Sequence, residues 1–554
     1  MRFAVLLCVP LLSQAQAGIG RDYGRSMTIT RQGIAATSQI LASQAGAQIL
    51  ARGGSAVDAA IASNAVLAVV EPMMCGLGGD MFAIYWDAKT GKLTGINSSG
   101  PAPRGLSPEF LAGKDITTMP SSGIHSVTVP GAVEGWFRMH QRFGKLPWKD
   151  LFQSAIQYAE QGYPVTEAIH EEWALNASVA KLRRNPESAR TFLPGDAAPK
   201  EGDVFRNPAM AHALRLVAEQ GHDAFYKGEI AAAILKTSQA LGGTMTAEDL
   251  ASYEPEWVEP ISTTYRGWRV YELPPNGQGM AALEMLNLME TVPAAPEGPY
   301  SAAEMHERIE AMKLAYSDLH RYDADPRAVK VPVADLISKE YAQKRAAQID
   351  PKKANCKVDP GQALGSDTTY LTVVDSDGNI VSWIQSLYSA FGSGVGVEGM
   401  GFELHNRGAA FMLEPKHPNV LAGGKRPFHT IIPAFMENGD LHIGFGIMGG
   451  ANQPLAHAQF ASNVIDYGMN LQAALEEGRF TKRSAAGCDV SIEGRVPLHT
   501  LQQLSELGHQ IAIRRPYTQE MGRGQAILHN AKTGVNYAAS DPRADGAAIP
   551  EPIR

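Results

Sequence analysis

At 554 residues, 44% hydrophobic and 19% charged, the chain is long enough for a large buried core and unlike disordered, collagen-like or low-complexity sequences. A formal net charge of −8 gives no electrostatic footing for nucleic acid or for an anionic membrane surface. With 4 cysteines, no CxxC and no zinc-ligand spacing, neither a disulfide-dense scaffold nor a structural metal is expected.

Residues 1–17 read as a signal peptide. Arg2 is the positive start, Phe3 to Leu12 the apolar run, and Ala15-Gln16-Ala17 the small-x-small cleavage site. The run is far short of the ~20 residues that span a bilayer. No other segment is a candidate span, so export to the periplasm or medium is expected, with no membrane attachment afterwards. Cleavage leaves Cys75, Cys356 and Cys488, hence at most one bridge and one free thiol.

Ala42 to Val70 reads as two helices broken at Gly53-Gly54, with Ser55 and Asp58 suited to a helix start. Gly76, Gly78 and Gly79 force a tight loop before a strand from Phe82 to Trp86. Because the order is loop then strand, without GxGxxG spacing, dinucleotide binding is not indicated. His125 to Trp136 reads as a strand-to-helix joint. Helical pattern dominates from about 137 to 255, clearest at Trp148–Gly162 and Asn207–Gln220. A strand pair at Tyr265–Leu273 precedes helices over Met280–Glu290 and Ala302–Leu319. Residues 349–366 read as irregular.

An alternating strand then runs from Thr368 to Val374, Asp377-Gly378 signals a hairpin turn, and Ile380 to Gln385 is the return strand. A glycine-rich turn at 392–401, a strand at 402–405, strands His429–Phe435 and Leu441–Ile447, and a helix Gln453–Tyr467 follow. Strands clustered at 368–447 with helices on either side point to sheets covered by helical layers. A cut before Thr368 would place a hydroxyl and a free α-amine on one residue, a nucleophile with its own base. GxSxG and HExxH are absent.

In this order and spacing, several pieces resemble the γ-glutamyltranspeptidases, members of the N-terminal nucleophile hydrolases. They include Gly53-Gly54-Ser55-Ala56-Val57-Asp58-Ala59-Ala60, Gly76-Leu77-Gly78-Gly79, Val129-Pro130-Gly131-Ala132-Val133, Thr368-Thr369, Phe391-Gly392-Ser393-Gly394, Lys425-Arg426-Pro427 and Gly449-Gly450. The resemblance covers nearly the whole mature chain. It implies an α+β, four-layer αββα fold and self-cleavage between Asp367 and Thr368. The products would be a large subunit (18–367) and a small one (368–554) that stay packed as one body. No cofactor or metal is implied.

The resemblance also implies roles. Thr368 is the nucleophile, Ser386 the assisting hydroxyl, and Gly449 and Gly450 the oxyanion donors. His429 and Thr430 stand where the family holds its substrate with two serines. Ser99 stands in place of the carboxylate-gripping arginine, with Arg104 nearby. Ala410 replaces the amine-gripping acid, and Tyr388 an asparagine. Arg407, beside Asn406, offers a new cation for a substrate carboxylate. The stretch from Glu414 to Gly424 is short where many members carry a longer lid, which favours water over an amine acceptor. The pattern is similar to a lidless branch. The expected activity is hydrolysis of a small amide, γ-glutamyl such as glutathione, or alternatively glutaryl- or oxamate-like.

Overall fold

Asp375 fixes the hairpin on which Thr368 lies. In the computed structural model, strand Asp367–Val374 pairs with Ile380–Tyr388, and Gly378 turns the chain at φ 82°, where glycine has no Cβ penalty. Asp375 Oδ1 accepts from the N–H groups of Asp377 and Asn379, both at 3.0 Å. Its Oδ2 accepts from Ala56 N–H at 3.0 Å, which ties the hairpin to helix Ala56–Val70. Ser55 and Asp58 start that helix as a reciprocal capping box, as their spacing predicts. The structure describes residues 23–358, 367–482 and 485–553. The expected signal peptide and residues 359–366 before the expected cut lie outside these.

Two seven-stranded sheets form the centre. The first runs Ala547–Pro550, Ile34–Thr37, Asp367–Val374, Ile380–Tyr388, Asp80–Asp87, Lys92–Ser98, Glu256–Val258. The second runs Thr28–Thr30, Val535–Ser540, Arg523–Asn530, Leu441–Met448, Ala434–Asn438, Trp268–Glu272, Ile261–Tyr265. Phe82, Ile84, Tyr370, Ile384, Phe435, Met448 and Ile527 fill the space between them. The outer face of the first sheet, including Leu371, Val381 and Trp383, packs on helices Ile40–Ala51, Ala56–Val70 and Ala132–Phe143. The second is covered by Gly279–Met289, Ala302–Tyr322 and Gln453–Ile465. This is the expected αββα arrangement. Strand Ile380–Tyr388 is buried at every position, as a central strand covered on both faces must be.

The strands do not cluster only between 368 and 447. Both sheets interleave strands from before and after residue 368, so neither side of the expected cut owns a sheet. The stretch around His125 is a 3-10 turn, Ile124–Ser126, and then extended chain rather than a strand. Val129 N–H bonds to Pro101 O and Gly131 N–H to Gly79 O, and Pro130 has no N–H for a ladder. The strand expected from His429 begins only at Ala434. His429 N–H bonds Asn276 O, Ile432 N–H bonds Gln453 Oε1, and Pro433 has none to give. Of 402–405, only Glu403–Leu404 is a strand. Among the described residues one bridge, Cys356–Cys488, and one buried free thiol, Cys75, match the count expected after cleavage. Among the described residues no helix is long and apolar enough to cross a membrane.

Asp375→Ala strands the buried Ala56 N–H and loosens the turn, and should destabilise the protein by about 1–3 kcal/mol. Urea unfolding measures it; an unchanged midpoint and slope would show that the hairpin does not depend on this carboxylate.

Candidate active site

Thr368 stands at a bulge. Asp367 is opposite Tyr388 and Thr369 opposite Gln385, so the register shifts across the threonine. Its Oγ1 donates to Ser386 Oγ, 3.3 Å away on the adjacent strand, and Ser386 Oγ also accepts from Tyr388 N–H at 2.7 Å. A cavity of about 340 Å³ opens beside Thr368, bordered by Met448 and Gly449 from the end of the facing sheet and by Glu172, Gln519 and Arg523. Gly449 has φ 144° and Gly450 φ 59°, both unfavourable for a side chain. A Cβ on Gly449 would also lie 3.1 Å from Gly522 Cα. The two sheets thus bring a hydroxyl and a glycine backbone to one cavity.

Behind Ser386 lies Arg407, fully buried. Its Nη2 donates to Ser386 Oγ at 3.3 Å, its Nη1 to Thr430 Oγ1 at 2.8 Å, and its guanidinium stacks 4.2 Å from the Tyr388 ring centre. Burial pulls its pKa down to about 10, against Tyr388 and Asp80, so it stays charged near neutrality. Among the described residues its buried Nε has no hydrogen-bond partner and no carboxylate oxygen comes within 4.0 Å of it. A buried cation without a paired anion is costly.

Asp80, which opens the strand paired with the one carrying Ser386, supplies a nearby negative charge. It accepts from Gly131 N–H at 3.0 Å and Gly100 N–H at 3.3 Å. His429 Nε2 lies 3.1 Å and His405 Nδ1 3.3 Å from its Oδ2. Burial alone would raise the Asp80 carboxyl; His405 and His429 outweigh it and hold it well below the usual carboxylate range. His429 is pushed down to about 3 by burial and by Arg407, so its imidazole is neutral. It donates Nε2–H to Asp80 and accepts Ile431 N–H at Nδ1, 3.3 Å away.

The predicted residues separate into two groups. Thr368, Ser386, Tyr388, Arg407, Thr430 and His429 form one connected buried network, and Gly449 faces Thr368 across the cavity. Ser99 adjoins His429 through Asn276: Asn276 Nδ2 donates to Ser99 Oγ at 3.2 Å, and His429 N–H to Asn276 O at 2.7 Å. Asn406 is not brought to Thr368. Its amide is spent on Ser121 O and Ser389 N–H, at 2.8 and 3.2 Å. Arg104 points to the surface, with a 57% exposed side chain beside Asp249 and Glu248. The short loop after Glu414 ties back on itself, Met412 and Leu421 bonding across it, and none of its residues borders the cavity.

Sequence reading missed Asp80, His405 and Gln278, whose Nε2 bonds both Thr430 O and Gly450 O, at 2.5 and 2.7 Å. Only Asp80 had a visible signal, a carboxylate ending a glycine-rich loop. His306, Glu310 and His509 also gather closely enough to hold a cation. Lys313 Nζ, 2.5 Å from Glu310 Oε1, already supplies the positive charge there.

Residues 42–551 match the family model described as Gamma-glutamyltranspeptidase. The chain belongs to the γ-glutamyltranspeptidase family. It is 37% identical over 516 residues to the glutathione hydrolase-like YwrD proenzyme of Bacillus subtilis, covering 92% of this chain and 96% of that protein. It is 34% identical over 533 residues to the oxamate amidohydrolase proenzyme of Klebsiella pneumoniae, covering 94% and 99%. The cephalosporin acylase of Bacillus halodurans superposes with a TM-score of 0.88 at 41% identity, covering 98% of this chain and 99% of that one. The chain is therefore an enzyme of the γ-glutamyltranspeptidase kind, a proenzyme-type hydrolase. Three different substrates in the names of its relatives leave the acyl group to be argued from the site.

Gly449→Ala forces a Cβ into a left-handed region and against Gly522. It should lower kcat about 10²–10³-fold, the range for loss of one oxyanion donor. Wild-type kcat in a stably folded variant would remove Gly449 from that role.

Proposed function

We propose that the precursor cuts itself between Asp367 and Thr368 and that the processed enzyme hydrolyses small amides whose acyl group carries a free carboxylate. The observation that carries this reading is the Thr368–Ser386–Arg407 chain: a nucleophile-type hydroxyl, a bridging hydroxyl and a buried guanidinium that has no carboxylate partner among the described residues. γ-Glutamyl amides such as glutathione are the first substrates to consider, on family grounds. An acyl group lacking the α-amine, glutaryl- or oxamate-like, is favoured by a specific feature. Ala410 stands where an acid would hold that amine, and Asp80 is already engaged by two histidines and two backbone N–H groups.

In maturation, Thr368 Oγ attacks the Asp367 carbonyl carbon, and the peptide nitrogen leaves as the Thr368 amine. Water then cleaves the resulting ester, giving an Asp367 carboxylate and a free Thr368. In turnover, the amine accepts the Thr368 hydroxyl proton as Oγ attacks the substrate carbonyl. Gly449 and Gly450 N–H groups stabilise the oxyanion, and the protonated amine hands its proton to the leaving nitrogen. Water, deprotonated by the same amine, releases the acid. Ser386 orients Oγ; Arg407 and Thr430, buried behind it, hold the acyl carboxylate, with Tyr388 stacked on the guanidinium and His429 and Ser99 in the buried shell around them. The short loop after Glu414 supports hydrolysis over transfer. The signal-like leader and the Cys356–Cys488 bridge support an oxidising, exported location, periplasmic or secreted.

On a reducing denaturing gel the wild type should run as two bands, 18–367 and 368–554, while Thr368→Ala stays whole and inactive. A single full-length band from active wild type refutes the mechanism. A panel of γ-glutamyl, glutaryl and oxamyl amides then fixes the acyl group.

The pH–rate profile should rise with deprotonation of an α-amine of ordinary pKa, about 7.7–8.0. For carboxylate-bearing substrates it should fall as Arg407 loses its charge near pH 10. Arg407→Met should raise KM for a glutaryl amide about 10–100-fold, the scale of a lost charged hydrogen bond, and leave an uncharged butyryl amide nearly unaffected. Equal losses on both substrates would place Arg407 outside acyl recognition.

A further inference from the structure

The Cys356–Cys488 bridge joins residues that lie on opposite sides of the Asp367–Thr368 bond, 132 positions apart. Resting on the self-cleavage proposed above, we propose that maturation converts this intrachain disulfide into a covalent link between the large and small subunits, pinning the freed tail of the large one. The mature enzyme is then two polypeptides in one covalent unit.

The surroundings fit an anchor rather than an incidental bridge. On the large-subunit side, His306 Nε2 and Asp350 O are 2.9 Å apart, and Lys313 Nζ donates to Asn355 O at 2.8 Å. Asn355 N–H reaches both oxygens of Glu310 at 3.3 Å. His306, Glu310 and Lys313 all lie on helix Ala302–Tyr322 and are buried. Across the bridge, Ala354 N–H donates to Leu507 O and Gln510 N–H to Cys488 O, both at 2.7 Å. The chain leading to the cut is therefore fastened to a large-subunit helix and, by the disulfide and one backbone bond, to the small subunit.

Apolar packing holds this segment weakly. Only Ala354 and Val358 are buried between Pro351 and Val358, and Lys352, Lys353 and Lys357 are exposed. Once cut, such a chain end would fray without a covalent hold. With the bridge, the tail beyond Cys356 can reach only on the order of 40 Å at full extension. Cys75 is no competitor for the bridge: it is buried, and burial pushes its thiol well above the ordinary range, so no thiolate is available for exchange. Joining the chains also makes their reassociation intramolecular, and so independent of dilution.

The test uses exported wild-type enzyme, alkylated at lysis and run on denaturing gels with and without reductant. The expected result is one band at full mature mass without reductant and two with it. Two bands without reductant overturn the proposal. One band in both gels overturns it through failed cleavage. A digest then separates that case, because a Cys356–Cys488-linked peptide shows an intact bridge in an uncut chain. In Cys488→Ser the expectation is two bands in both gels and at least several-fold faster proteolysis within 350–367; unchanged proteolysis would contradict the pinning.

Discussion

The proposed reaction needs a threonine hydroxyl presented at a carbonyl carbon, next to hydrogen-bond donors, from a chain position that can become an end. The face-to-face packing of two sheets meets this constraint. One sheet carries Thr368 at a bulge beside Ser386; the other ends at Gly449, where the backbone conformation admits only glycine without strain. The shared apolar layer of Phe82, Tyr370, Ile384, Phe435 and Met448 sets the spacing between those two edges. The outer helical layers shield the remaining sheet faces, which lets central strands be apolar on both sides.

Electrostatics then divides the site. Asp80 is satisfied several times over, and His429 beside it is neutral, so this corner is inert. Arg407 is its opposite: charged, buried, hydrogen-bonded only to hydroxyls, and lacking a carboxylate partner among the described residues. A substrate carboxylate would relieve that imbalance, whereas a substrate ammonium placed there would meet a cation. Ser386 joins the Thr368 edge to the Arg407 corner from one side, and Gln278, bonded to both Thr430 O and Gly450 O, joins them from the other.

Much of the Thr368 edge was legible in the sequence as structure because its signals are local. The period-two pattern from Thr368, the Asp377-Gly378 turn and the Ser55–Asp58 cap each act within a few residues. The four-layer architecture came from family resemblance rather than from pattern. Strands at Thr28–Thr37 and Arg523–Pro550 join both sheets through contacts hundreds of residues apart, and their alternation is broken by residues such as Gly524 and Gln525. The recognition corner was legible only in part. Asn406 and Arg407 are neighbours in sequence, yet one is spent clamping Ser121 and Ser389 while the other turns to Ser386. Asp80 and His405 become a pair only when distant loops meet, which no spacing in the chain announces.

The most direct test of the central claim is to trap the acyl group on the enzyme. Processed protein mixed with a slowly turned-over acyl amide, quenched in acid and digested, should yield a peptide beginning at Thr368 with the acyl mass on its first residue. Turnover with the acyl group on another side chain, or with no label on that peptide under conditions that preserve an ester, would contradict the account.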